Sequence, residues 1–201
     1  MSIDVNETTI VQELTPAKAG FSRGWLYVIF LLLVAITWIG VSQNGAGDLR
    51  EWRVSALKGK MAMTEAQLMS LVVAEKLTVY WTGPMSNSLY TLNATKKNQT
   101  VLTYLPEKSN AKPAEKIRDT RIVGTYYSPS AFSDSLNVAT RNTNVSFKNA
   151  DGNLVFFPKE RRTGVFVAIP NSKYQIEIFD PIPGQALSAA SLRDQITKIG
   201  K

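Results

Sequence analysis

Four aromatic residues stand beside predicted turns and could form a binding surface. Tyr80 and Trp81 end one predicted strand just before a Gly-Pro turn, and Tyr126 and Tyr127 end another. Binding residues commonly gather at strand ends and in loops, and Tyr and Trp combine a large apolar ring with one polar atom. We therefore predict a rim of aromatic side chains at one end of a sheet, with ordinary core packing as the alternative.

A second candidate surface is the basic loop that contains Lys159, Arg161 and Arg162. Such a loop suits lipid phosphate or an acidic partner, and the alternative is a solvated loop without any partner. Residues 43–201 contain 21 Lys and Arg against 13 Asp and Glu, a net charge of +8, whereas residues 1–24 have a net charge of −1. This charge favours anionic lipid, wall polymer or another membrane protein as the neighbour of the domain, and no nucleic acid.

The residues that most enzymes use for catalysis are scarce in this chain. It has no Cys and no His, which excludes thiol nucleophiles, the Ser-His-Asp triad, structural zinc sites, and haem ligated by His or Cys. Glycine-rich phosphate loops are also missing from the sequence. We therefore predict no catalytic residue, no metal site and no cofactor.

One set of short motifs imitates a known active site. A Ser-x-x-Lys motif at Ser55, a Ser-x-Asn motif at Ser135 and an Arg-Thr-Gly motif at Arg162 follow the order of the motifs in penicillin-binding enzymes. We reject this match because the first motif lies in a basic stalk close to the predicted membrane segment and the third has Arg in place of Lys. Glu177 and Asp180 flank a strand end, where a solvent-facing strand residue and a turn explain them better than catalysis.

One segment of the chain has the composition of a membrane-spanning helix. Residues 25–41 carry no charge, and about 20 residues of helix at 1.5 Å each cross a ~30 Å hydrocarbon core. Aromatic residues near both ends of the segment suit the head-group level. We divide the chain into a flexible tail (1–24), a transmembrane helix (25–42), a juxtamembrane linker (43–62) and a soluble domain (63–201).

The alternative to an anchor is a cleaved signal peptide. The acidic tail before the segment, and the lack of a small-x-small cleavage site after it, favour the anchor. Positive charge is denser after the segment than before it, which by itself would keep the domain inside the cell. Because long domains translocate largely regardless of charge, we predict a single-pass protein of the cell membrane with its C-terminal domain outside.

The domain itself is predicted to be α+β, with a mostly antiparallel or mixed sheet and two or three helices. Asp151-Gly152 between apolar runs indicates a hairpin, and residues 164–169, apolar on both faces, indicate an interior strand. Charged residues 107–119 are predicted to form an exposed loop. The predicted strands are residues 77–81, 89–95, 100–105, 121–127, 144–148, 153–157, 164–169 and 174–179.

Helices are indicated by capping patterns and apolar spacing. Thr64 and Gln67 form a capping-box spacing for a helix that reaches about residue 77. The same order of a strand, a turn that contains Pro and then an Ala occurs twice in the sequence. It predicts one helix after Ser128 and another from Ala186. For the first of these the predicted buried residues are Phe132, Leu136 and Ala139. Ser191 and Asp194 form a second capping-box spacing near the C-terminus. Leu192, Ile196 and Ile199 line up there, which predicts a further helix.

Several strand-edge segments together resemble a known family. VYWTGP, LTYLP, GTYYSPSAF and VFVAIPNSKYQIEIFDPIPGQA, within residues 79–186, resemble segments of uncharacterised single-pass membrane proteins of high-GC Gram-positive bacteria. Thr103 stands where those proteins often have Arg. The resemblance implies a membrane helix followed by one domain, and it implies no activity, cofactor or site residue.

The sequence therefore favours a membrane-anchored, non-enzymatic binding or scaffold domain at the cell surface. An accessory subunit of a membrane complex, with the helix as its interface, is the first alternative. An enzyme that uses carboxylate, Ser or Lys chemistry is the second.

Overall fold

The computed structural model describes residues 46–107, 120–161 and 163–200, and all of these from Gly47 onward lie within the compact unit Gly47–Lys201. The predicted tail and transmembrane helix, and most of the predicted loop at 107–119, lie outside these residues. No helix among the described residues is long and apolar enough to cross a membrane. The helices are α1 (Ala46–Leu57), α2 (Glu65–Ala74), α3 (Ala131–Ala139) and α4 (Gln185–Ser191).

The α+β class and the antiparallel sheet are confirmed. Seven strands form one sheet in the order β2-β3-β4-β8-β7-β6-β5, and β1 pairs with β9 in a second, small sheet. Every described strand pair is antiparallel. The strands are β1 (Tyr80–Trp81), β2 (Ser88–Asn93), β3 (Gln99–Pro106), β4 (Ile122–Tyr127), β5 (Asn144–Lys148), β6 (Leu154–Pro158), β7 (Gly164–Ala168), β8 (Tyr174–Phe179) and β9 (Thr197–Lys198).

Alternation along the strands gives the large sheet two different faces. One face packs against α2 and α4 and carries the main core, which includes Leu102, Val123, Val165 and Ile178. Full burial of one such side chain contributes about 1.5–3 kcal/mol. β7 lies between β8 and β6, which is the interior position that its apolar residues predict.

The other face of β6 and β7 is covered by α3. Phe156 and Phe166 stack there with ring centroids 5.2 Å apart, against Ala139 and Phe132 of the helix. The predicted buried residue Leu136 is instead 45% exposed. Small residues spaced four apart, Ala131, Ser135 and Ala139, form the buried stripe, because they let the helix approach the phenyl rings closely.

The stretch expected to be a linker, residues 43–62, contributes α1 to the fold. Ala56 is fully buried, and Trp52 and Leu57 pack against the main core. The chain after α1 then runs along β2: Met63 and Tyr90 exchange backbone hydrogen bonds of 2.8 Å, and the Ala94 amide donates to the Leu57 carbonyl. The free edge of β2 is thereby covered.

The capping box of α2 is confirmed, because Thr64 and Gln67 bond to each other's backbone amides. The predicted helix near the C-terminus is wrong. α4 ends at Ser191, and Thr197–Lys198 pair with β1 as strand β9. The unpaired backbone of β1 offers these residues hydrogen bonds that a short terminal helix would not supply, such as the bond from the Ile199 amide to the Val79 carbonyl.

Candidate functional site

Two of the four predicted aromatic residues come together at one end of the large sheet. Tyr80 and Tyr127 both contact Tyr174, with ring centroids 6.1 Å and 5.5 Å from that ring. Tyr127 is 36% exposed. Tyr80, Tyr127 and Tyr174 therefore form a small aromatic cluster, and Tyr174 was not among the predicted residues.

Trp81 points away from this cluster because it is the next residue along the strand. It is 7% exposed, its indole N–H donates to Thr197 Oγ1 at 2.9 Å, and its ring lies 6.2 Å from that of Tyr90. Its environment is core packing, the alternative interpretation of the aromatic pattern.

Tyr126 also leaves the cluster, because it lies on the opposite face of β4 from Tyr127. Its ring lies over Gly124, where a Cβ would come within 2.7 Å of the phenol oxygen. Its hydroxyl donates to Glu177 Oε2 at 2.9 Å. Burial, together with this bond to a carboxylate, raises the pKa of Tyr126 to about 12. Tyr126 and Glu177 thus fill the space that a glycine leaves in the sheet.

The predicted basic loop joins β6 to β7. Lys159 and Arg161 are both exposed there, with the acidic Glu160 between them; Arg162 lies outside the described residues. Backbone bonds fix the start of the loop, since the Lys159 amide donates to the Thr143 carbonyl and the Arg161 amide donates to the Pro158 carbonyl. Lys159 is thereby held beside the first residues of β5.

Lys159 also lines an open apolar groove of about 500 Å³ on the main-core face of the sheet. Val145, Phe157 and Val165 supply its floor from β5, β6 and β7, and Leu187 of α4 supplies one wall. We call this feature the β5 groove. A volume of this size is typical of sites for small molecules or for inserted side chains. A groove with apolar walls and one ammonium group at its rim suits an apolar group that carries a nearby anion.

A second, more polar cleft of about 380 Å³ lies beside Arg121 and Asp180. The two side chains form an ion pair, with Arg121 Nε 2.8 Å from Asp180 Oδ2 and exposures of 12% and 7%. Asp180 Oδ1 accepts a further hydrogen bond from the Ile182 amide. The sequence indicates only a turn at Asp180, and no local pattern connects it with Arg121, which lies 59 residues earlier.

The ion pair continues into a chain of buried hydrogen bonds. Arg121 Nη1 donates to Thr82 Oγ1 at 3.3 Å, and that hydroxyl lies 3.1 Å from the Tyr104 oxygen. Tyr104 in turn donates to the Gly83 carbonyl, and Gln195 donates to the Thr82 carbonyl. Burial raises the pKa of Tyr104 to about 12. Most of these polar groups bind one another, so the network joins β3, β4, β8 and the turn after β1.

Comparison with known proteins adds nothing to this geometry. No family model matches the chain, and no curated protein and no solved structure matches it. Among the described residues there is also no group of three or more His, Cys, Asp or Glu that could hold a metal ion.

Proposed function

We propose that this chain is a membrane-anchored, non-enzymatic binding protein of the cell surface, and that its domain binds a partner protein at the β5 groove. The observation that carries the proposal is the position of this apolar groove, which opens beside an exposed edge strand with Lys159 at its rim. An edge strand, an apolar groove and a positive charge are three features that binding surfaces use.

Separate sequence features support the proposed location and the proposed kind of partner. Residues 25–41 have the length and the apolar character of a spanning helix. The net charge of +8 on residues 43–201 favours partners with acidic surfaces, through long-range attraction as well as local contacts.

The Arg121–Asp180 cleft supports binding less well than the β5 groove does. Its charged groups are already paired with each other, whereas Lys159 faces solvent beside an apolar surface. A buried polar network whose groups mostly bind one another stabilises one conformation of a fold more often than it binds a ligand.

The proposal is tested with two matched substitutions in the full-length, tagged protein. Val145→Glu places a carboxylate in the β5 groove, and Leu136→Glu places one on α3; the two residues are 40% and 45% exposed. Each variant is expressed in the native cell, cross-linked in place, extracted in mild detergent and analysed by mass spectrometry. A protein found in the cross-linked sample is then purified and its binding to each variant is measured directly.

We expect Val145→Glu to weaken this direct binding about tenfold or more, because its carboxylate would enter an apolar contact and compete with the partner for Lys159. We expect Leu136→Glu to leave the binding unchanged. Equal binding by both variants would refute the β5 groove as the site. A chain that lacks residues 1–42 separates the alternative: partners lost with that deletion and insensitive to Val145→Glu would make the protein an accessory subunit held by its helix.

A further inference from the structure

Of the two edges of the large sheet, described residues cover the β2 edge and leave the β5 edge open. At the β2 edge, the segment that follows α1 supplies backbone bonds to Tyr90 and Ala94. At the β5 edge, no described strand pairs with the side of β5 that faces away from β6, and Val145, Ser146 and Lys148 are exposed. Unprotected edges invite another strand, and proteins usually cover them or interrupt them. β5 has neither a proline nor a bulge.

The free hydrogen-bonding groups on β5 can be assigned. Bonds from the Lys159 amide to the Thr143 carbonyl and from the Asn149 amide to the Asn153 carbonyl mark the bonded pairs with β6. Bonding alternates along an antiparallel pair, so Val145 and Phe147 bond to β6. The amide and carbonyl groups of Ser146 and Lys148 therefore point outward, ready to pair with an added strand.

Side chains of an added strand would meet the β5 groove. Val145 lines the groove from the edge strand, with Phe157 and Val165 behind it on the next two strands. Residues opposite each other on paired strands point to the same face of the sheet. An apolar side chain opposite Val145 would therefore lie at the mouth of the groove and could enter it.

Charge sets the direction of the added strand. Lys159 lies at the Asn144 end of β5, because Asn144 pairs with Pro158. In an antiparallel arrangement, like every pair in this sheet, the C-terminal end of the added strand would reach Lys159. A carboxylate shortly after the apolar residue, either a chain terminus or an Asp or Glu, would complete a charged hydrogen bond there.

We propose that β5 accepts an antiparallel strand from a partner protein, with one apolar side chain in the β5 groove and a following carboxylate at Lys159. This inference rests on the proposed function and specifies its partner. Backbone bonds to an edge strand with pockets for alternate side chains are an established mode of peptide recognition. A second copy of this chain fits less well, because pairing two β5 strands about Ser146 would place the uncharged Asn149 of one copy, and no carboxylate, beside Lys159 of the other.

The test uses the full-length protein in detergent and a displayed library of random peptides with free C-termini. We expect enriched peptides to share an apolar residue followed within about three positions by an acidic residue or the terminus, the reach of a strand at ~3.3 Å per residue. Synthetic versions are then measured against the wild-type chain, against Lys159→Glu and against Leu136→Glu. Both substituted side chains are exposed, so folding of the variants is not at risk.

Two results would support the proposal. N-methylation of alternate peptide residues should weaken binding about tenfold or more, because it removes a ladder bond and adds a clash, while methylation of the intervening residues should have little effect. Replacement of the peptide acid by Lys should lower affinity for the wild-type chain and raise it for Lys159→Glu, whereas Leu136→Glu should behave as the wild type.

Other results would overturn it. No enrichment, tolerance of N-methylation at every position, or failure of the charge exchange would each show that β5 does not accept such a strand. If partner binding in cells still depends on Val145, the proposed function would survive such a failure with a different occupant of the groove. Sedimentation with vesicles of anionic lipid, reduced by Val145→Glu but not by Leu136→Glu, would identify that occupant as lipid and would also overturn the strand.

Discussion

Asp180 connects three parts of the domain through one carboxyl group. It binds Arg121 just before β4, and its other oxygen accepts a hydrogen bond from the Ile182 amide in the following turn. Loss of one charge from a buried pair leaves the other charge unpaired, at a cost of about 3–5 kcal/mol. We expect Asp180→Asn, which retains an acceptor for the Ile182 amide, to lower the free energy of unfolding by about that amount, measured by urea denaturation of the detergent-solubilised full chain.

A control for this prediction is available on the surface of α1. Glu51 is exposed, and Glu51→Gln removes one negative charge in the same way. We expect its effect to stay within about 0.5 kcal/mol, as is usual for surface substitutions. A similarly small effect of Asp180→Asn would contradict the stabilising role of the ion pair.

Tyr104 and Tyr126 make the stability of the domain sensitive to alkaline pH. Burial raises the pKa of both hydroxyls to about 12, whereas an unfolded tyrosine ionises near pH ~10. The folded state keeps protons that the unfolded state has released, so this stabilisation is complete below pH ~10 and is lost as pH rises towards ~12.

We therefore expect Tyr126→Phe to make the fall in unfolding free energy over that pH range shallower, because a group with a raised pKa no longer titrates. Tyr127→Phe, at an exposed neighbour, is the control and should keep the wild-type slope. Ultraviolet absorbance of the phenolate gives a second measurement, in which the late titration should lose amplitude in Tyr126→Phe. Identical profiles for the two variants would count against the assignment.

At the scale of elements, the segment that follows α1 and runs along β2 makes residues 46–63 part of the domain. Met63 is almost fully buried against the core, whereas Met61 is only partly buried. Truncation of a buried Met to Ala costs about 2–5 kcal/mol. We expect Met63→Ala to lower the free energy of unfolding within that range and Met61→Ala to lower it much less, measured by thermal or urea unfolding. Equal, small losses would return this stretch to the status of a linker.

Local patterns predicted most of these elements, because alternation and turn chemistry act over a few residues. The hairpin at Asp151-Gly152 and the capping box at Thr64 are examples, and both depend on neighbours in sequence. The same reasoning assigned residues 192–199 to a helix. It failed there because the partner of β9 is β1, more than a hundred residues earlier, and pairing over that distance leaves no local pattern.

The candidate site could likewise be predicted only where its features are local in the sequence. Lys159 was predicted from local charge density and does line the β5 groove. Val145, Phe157 and Leu187 could not be connected with it, since three separate elements must meet before a groove exists. Tyr126 and Tyr127 illustrate a different obstacle: adjacent residues in a strand face opposite ways, so a run of aromatic letters does not form one surface.

At the scale of the whole molecule, the proposed anchor predicts a defined topology. Cells that express the chain with a tag at each end should lose only the C-terminal tag when a protease is added outside, because the proposed anchor places the domain on that side. A chain without residues 1–42 should not sediment with membranes after extraction at high salt. Cleavage of the N-terminal tag, or protection of both tags in intact cells, would contradict this orientation.

The order of strands in the large sheet also matters while the protein is being made. β4 pairs with β8 at the centre of the sheet, yet β5, β6 and β7 all lie between them in the sequence. During synthesis β2, β3 and β4 are therefore made before β8, and the edge of β4 stays unpaired until β8 emerges. The partner of β1, which is β9, is made later still. Incomplete chains with open edges associate readily with other strands. The growing chain therefore carries an open strand edge until β8 and then β9 have been made.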